Sequence, residues 1–202
     1  MCCFLIALID ESVRFDGERA HYVVAAAIVI IDPTRASELI ATSLFADPAR
    51  RRPFHWAREG TQAREAMLRC LATLGVTVYA GVHHPTSEQD QEEARAALLS
   101  EVLLPQLLDV GVTKLIIESR DDHPGGLGPQ DARDLRTIRN YLRPWRGSPT
   151  FDWHGKEDRL LWAADAAAGA VREHAEGTDS RWMTQLTDGG VPVRLTWIGP
   201  AG

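Results

Sequence analysis

Apolar residues dominate two early stretches, 4–10 and 21–31, each polar only at one end, instead of alternating with polar ones. Unbroken apolar runs of this length predict strands near the middle of a sheet that is covered on both faces. The turn sequence Phe15-Asp-Gly-Glu18 between them makes the pair an antiparallel hairpin with a long connection. Pro33 stops the second run, and Arg35 to Leu44 is expected as a short helix. The basic loop Ala49-Arg-Arg-Arg-Pro53 then leads into Phe54-His-Trp56. Helical spacing of Ala63, Met67, Leu71 and Leu74 predicts a helix over Thr61–Leu74, ended by Gly75. Val76–Val82 reads as a strand. Ser87–Val110 reads as a long helix whose apolar side carries Ala94, Leu98, Val102 and Leu108, kinked or divided at Pro105.

Further along, Thr113–Glu118 is another strand, and Asp122–Pro129 is a loop rich in Gly and Pro. Asp131–Leu142 is a modest helix, and Thr150–Trp153 an edge strand. An alanine-rich helix carries Asp165, and Val193–Ile198 supplies a last strand. Strands and helices in this order predict one α/β domain, residues 1–202, with a mixed sheet flanked by helices.

Acidic residues interrupt this apolar pattern at three places. Asp10 closes Phe4-Leu-Ile-Ala-Leu-Ile9, Glu118 closes Leu115-Ile-Ile117, and Asp165 stands inside the apolar helix. A carboxylate in such surroundings is costly unless positive charge meets it. Three of them suggest convergence on a divalent cation, with Mg2+ or Mn2+ favoured by an all-oxygen donor set. Leu161, Asp165, Ala168 and Arg172 share one helix face, so Asp165 faces the sheet if Leu161 and Ala168 do. Two ions about 4 Å apart in such a site would activate water and stabilise the leaving oxygen of a phosphodiester. The bland alternatives are a turn at Asp10-Glu-Ser12, a Glu118–Arg120 pair, and an arginine partner for Asp165.

Composition narrows the class. The chain has 202 residues, 45% hydrophobic, enough for one sizeable core. A net charge of −6 excludes a uniformly basic nucleic-acid binder, though not a local basic groove. Of the 22 basic residues only Lys114 and Lys156 are lysines, a bias that genome composition explains at least as well as phosphate binding. Cys2, Cys3 and Cys70 lack metal-site spacing and read as packing thiols in a reducing compartment. The start of the chain does not resemble a signal peptide, and no stretch approaches the roughly 20 apolar residues that span a membrane. A cytoplasmic protein is expected, with no membrane partner.

Leu8-Ile-Asp-Glu-Ser12, the apolar strand Tyr22–Ile31, Phe54-His-Trp56 and Leu160-Leu-Trp-Ala-Ala-Asp-Ala-Ala-Ala-Gly169 together resemble a prokaryotic domain-of-unknown-function family of the RNase H-like superfamily. The resemblance covers nearly the whole chain and is firmest at its two ends. It implies an RNase H-like fold with Asp10, Glu118 and Asp165 where such nucleases place metal ligands, a pattern also similar to Holliday-junction resolvases. This chain departs from the family pattern at Trp162, where a glutamine is common, and at Val13, where a glycine follows Asp-Glu-Ser.

Other residues join as candidates. Glu11 and Asp158 are equal candidates for a further metal ligand, set against an outward-facing strand position and a helix-dipole role respectively. His55 is a candidate for positioning water or touching the scissile phosphate, with Trp56 as a stacking surface or simply a core tryptophan. His83-His84 reads as a strand exit in preference to a zinc site, and His154 is a weak candidate. Arg133, Arg136, Arg139 and Arg143 form a stripe that reads as a solvated face or a phosphate track, and Arg50-Arg-Arg52 is equally ambiguous. No Walker loop, dinucleotide fingerprint or Gly-x-Ser-x-Gly elbow is present. The expectation is a metal-dependent nuclease acting on DNA or RNA through an acidic two-metal site. The alternatives are a non-catalytic binding or regulatory protein on the same fold, and a metal-dependent phosphatase of a small molecule.

Overall fold

The computed structural model describes residues 5–15, 19–30, 32–44, 52–87, 90–121 and 127–199. Cys2, Cys3, Arg50, Arg51 and most of the Phe15–Glu18 turn and the Asp122–Pro129 loop lie outside them. Six strands are described: β1 (Ile6–Ser12), β2 (Arg19–Val29), β3 (Thr77–Ser87), β4 (Lys114–Glu118), β5 (Thr150–His154) and β6 (Val193–Ile198). They form one sheet in the order β5-β4-β1-β2-β3-β6. β2 is antiparallel to both β1 and β3, while β4, β5 and β6 each pair in parallel with their neighbours. Five strands therefore end at the same edge of the sheet, and only β2 runs against them. The two apolar hairpin strands occupy the centre, as their patterning requires.

Helices cover both faces. Beneath one lie α1 (Pro33–Leu44), α2 (Thr61–Leu74), α6 (Leu161–Ala175) and α7 (Arg181–Asp188), packed on Ile6, Leu8, Val23, Ala25 and Ile116. On the other lie α3 (Gln91–Ala97), α4 (Leu104–Asp109) and α5 (Pro129–Leu142), packed on Ala7, Ile9, Val24 and Leu115. This is the α/β mixed sheet, flanked by helices on both faces, that the hydrophobic pattern predicts. Cys70 is free and buried on α2. Among the described residues no helix is long and apolar enough to cross a membrane.

Two expected boundaries move. The strand expected to stop at Val82 continues to Ser87, because the β2–β3 ladder extends as far as Arg19 opposite Ser87. The long helix expected over Ser87–Val110 consequently starts at Gln91, and a π-helical turn, Leu98–Leu103, interrupts it before α4. Pro105 has no N–H to donate, and the widened turn places it in the first turn of α4, where that donor is not missed.

α6 is buried from Leu161 to Glu173, which requires small residues on its contact faces. At Gly169 the approach is closest: a Cβ there would lie 2.2 Å from Cγ of Trp56. On helix propensity alone Gly169→Ala would stabilise by roughly 0.5–1 kcal/mol. The contact with Trp56 reverses the sign, and a net loss of about 1–3 kcal/mol is expected in urea unfolding. A stabilised variant would show that Trp56 is free to shift, which the bonds described next oppose.

Candidate active site at the carboxyl ends of the strands

Strand alternation assigns opposite duties to two adjacent acids. Ile6 and Leu8 face the layer containing α6, and Asp10 follows them in parity; Ala7 and Ile9 face α3 and α5, and Glu11 follows those. On β4 the same alternation puts Glu118 on the side of Ile116, toward α6. Leu8 pairs with Ile116 across parallel strands, so Asp10 and Glu118 emerge side by side. α6 crosses above them and brings Asp165. All three acids line one open cavity of about 1260 Å³, together with His55, Lys156 and Arg172.

The electrostatics reflect that crowding. Burial, a hydrogen bond with the Glu118 carboxyl, and the charges of Glu118 and Asp165 hold the Asp10 carboxyl well above the usual carboxylate range. The Glu11 N–H, donating to Asp10 Oδ1 at 2.7 Å, opposes the shift only in part. Glu118 meets the ammonium of Lys156 at 2.9 Å, not Arg120. Asp165 accepts the backbone N–H of Trp56 at Oδ2, 2.7 Å away, and its Oδ1 lies 3.6 Å from Nδ1 of His55.

Trp56 itself is buried at 1% exposure, so the stacking role considered for it is corrected: its ring packs in the core, edge-on to Trp182. Its indole N–H donates to Glu173 at 2.8 Å, and Arg64 donates to its carbonyl oxygen at 3.1 Å while lying over its ring. The residue thus works through its backbone, as a fixed donor that aims Asp165. Sequence reading overlooked Arg64 and Glu173. Glu173, two helical turns after Asp165 on a helix already recognised as buried, was the available signal.

The remaining candidates separate. Glu11 also lines the cavity, but its carboxylate accepts from Tyr22 and Arg95 on the far face of the sheet, and Arg95 in turn grips Asp134 of α5 at 2.8–3.0 Å. Arg120, expected near Glu118, joins this second cluster through Glu92 and Asp134. Asp158 is bonded to His154 and accepts the N–H of Leu160 at 2.9 Å, which places it at the start of α6 and not among the residues lining the cavity. His83 and His84 lie inside β3, and the rings of His21 and His84 stand 5.6 and 5.7 Å from Trp197. Arg133, Arg136, Arg139 and Arg143 are all exposed along α5 and just past its end. That helix touches the cavity only near its start, through Gln130 and Asp131.

A hard divalent cation suits this donor set. Among the described residues no three His, Cys, Asp or Glu side chains are close enough to hold an ion as they stand. The donor chemistry fits nonetheless: three carboxyl groups supply oxygen ligands, and the burial and neighbouring acids that raise the Asp10 pKa are what a 2+ charge would offset.

No model of a known protein family matches the chain, and no curated protein matches it. Among solved structures it is similar to the crystal structure of the ribonuclease H2 from Pyrococcus horikoshii OT3. The two share 14% identity at a TM-score of 0.43, over 92% of this chain and 76% of that one.

Proposed function

We propose that this RNase H-like chain is a divalent-cation-dependent nuclease that hydrolyses nucleic-acid phosphodiesters, with Asp10, Glu118 and Asp165 holding Mg2+ or Mn2+. The observation carrying this reading is the convergence of three carboxyls, from two strand ends and a buried helix, on the wall of one cavity. A divalent cation there supplies Lewis-acid polarisation of the phosphoryl oxygen and acidifies water. The chain's own groups do the rest. Asp10 and Glu118 are fixed at adjacent strand ends, and Trp56 fixes Oδ2 of Asp165. His55, half-buried with its Nδ1 3.6 Å from Asp165, is the imidazole placed to carry a proton at the site. The cavity exceeds the roughly 300–1,000 Å³ of small-molecule sites, which favours a polymer over a small phosphoester. A cytoplasmic setting belongs to the same reading, supported by the free Cys70 thiol.

The test uses labelled single- and double-stranded DNA and RNA, with Mn2+, Mg2+ or chelator. Cleavage is expected with either cation and absent in chelator. Millimolar cation should also raise the melting temperature more than monovalent salt of equal ionic strength, by mass action. Binding without cleavage would give the non-catalytic alternative, and hydrolysis of a phosphomonoester alone the phosphatase. No cleavage and no cation-specific stabilisation overturns the proposal.

A further inference from the structure

Lys156 sits in the turn Gly155-Lys156-Glu157 between β5 and α6, and its ammonium contacts Glu118 inside the acid cluster. Its two ends differ in freedom. The backbone is pinned, because the buried Trp162 indole donates to the Lys156 carbonyl at 2.9 Å. The side chain is 57% exposed and crosses open cavity to reach Glu118, which is almost fully buried. The ammonium contacts Glu118 directly, and Asp10 and Asp165 line the same cavity around it.

One ammonium balances one of three carboxyls. A pair with so exposed a partner is worth little, whereas a divalent ion interacts with all three acids at twice the charge. Lysine also suits departure: it is a compact charge on a flexible stem, without the planar fork that fixes arginine to a carboxylate. In a chain with 20 arginines and two lysines, this cation is a lysine.

We infer that Lys156 is an exchangeable counter-cation: it neutralises Glu118 while the acid cluster holds no divalent ion, and it yields that carboxylate when the ion binds. The inference rests on the metal site proposed above and assigns its resident competitor.

The experiment reads cation binding apart from catalysis. Mg2+ and Mn2+ affinities are measured calorimetrically on the whole chain, for wild type, Lys156→Gln and Lys156→Arg. Lys156→Gln should bind both ions more tightly, by roughly fivefold, the scale of an exposed ion pair. Lys156→Arg, which keeps the charge and adds bidentate grip, should bind no tighter than wild type. With only two lysines, ¹³C-dimethylation gives a spectrum simple enough to follow each ammonium. Mg2+ should move the Lys156 signal, identified by its loss in Lys156→Gln, and leave that of Lys114 in place. Equal affinity for wild type and Lys156→Gln, with an unmoved Lys156 signal while Mg2+ binds, overturns the exchange but keeps the metal site. Absence of cation binding in wild type and both variants overturns the two together.

Discussion

Asp165→Asn is expected to abolish cation-dependent cleavage while leaving a folded protein. The substitution is nearly isosteric, and an asparagine oxygen accepts the Trp56 N–H that now reaches Oδ2 at 2.7 Å. The change removes a negative charge and weakens the side chain as a ligand for a hard cation. A loss of at least about a hundredfold is expected, since disturbing a mere outer partner of a metal ligand already costs 10–100-fold. Stability in chelator should hold or rise, because the crowding that lifts the Asp10 pKa includes the Asp165 charge. A buried ion pair would respond in the opposite way, losing about 3–5 kcal/mol when one partner goes. Melting curves in chelator and cleavage rates with Mn2+, on the same two proteins, separate these responses. A folded Asp165→Asn variant that cleaves at the wild-type rate would falsify the assignment.

The largest loss of stability is expected on the opposite face of the sheet. Arg95 is only 1% exposed, and its guanidinium is shared between Glu11 at the end of β1 and Asp134 on α5. Burial opposes its charge, but the two carboxylates more than compensate and raise its pKa. Arg95→Met leaves the buried Asp134 and the partly exposed Glu11 with fewer partners, and a destabilisation of about 3–5 kcal/mol is expected in urea unfolding. Residual bonds, from Arg120 to Asp134 at 3.1 Å and from Tyr22 to Glu11, set this below complete unfolding. Adding Asp134→Leu to Arg95→Met should recover part of the loss, because the charges then leave together. A single variant within about 1 kcal/mol of wild type would class the cluster with solvated ion pairs. Glu11 adjoins Asp10, so this cluster also holds the strand end from which one proposed ligand projects.

The fold was legible where burial is continuous. The unbroken apolar runs of β1 and β2 placed them centrally, and the alanine-rich stretch around Asp165 announced a helix with no solvent face. It was less legible where one feature conceals another. Pro105 marked a break in the helix, but a π-turn is set by backbone hydrogen bonding and leaves no residue signature. Of the candidate site, Asp10, Glu118 and Asp165 stood out because acids seldom end or interrupt apolar runs. Glu11 and Asp158 were indistinguishable from them by type, and only strand parity and the cap on Leu160 separate their positions. Lys156 was hidden for another reason: an exposed turn lysine looks like any solvated charge until the chain brings Glu118 opposite it. Trp56 contributes a backbone N–H, which every residue but proline possesses, so no sequence pattern reports that role.

The strand order has a further consequence for how the molecule comes into being. β1, β2 and β3 pair in chain order as a meander, β2 and β3 joined through α1 and α2, whereas β4 returns from farther along the chain to flank β1 on its other side. Contacts over such separations close late, since the entropy of the intervening loop is lost before they form. Asp10 belongs to the early meander, but Glu118 and Asp165 reach it only after β4 has paired and α6 has docked. A chain still emerging during synthesis, or one trapped with its meander alone, therefore carries a solitary Asp10 and no carboxyl cluster. Completion of the topology is what brings the acids within reach of one another.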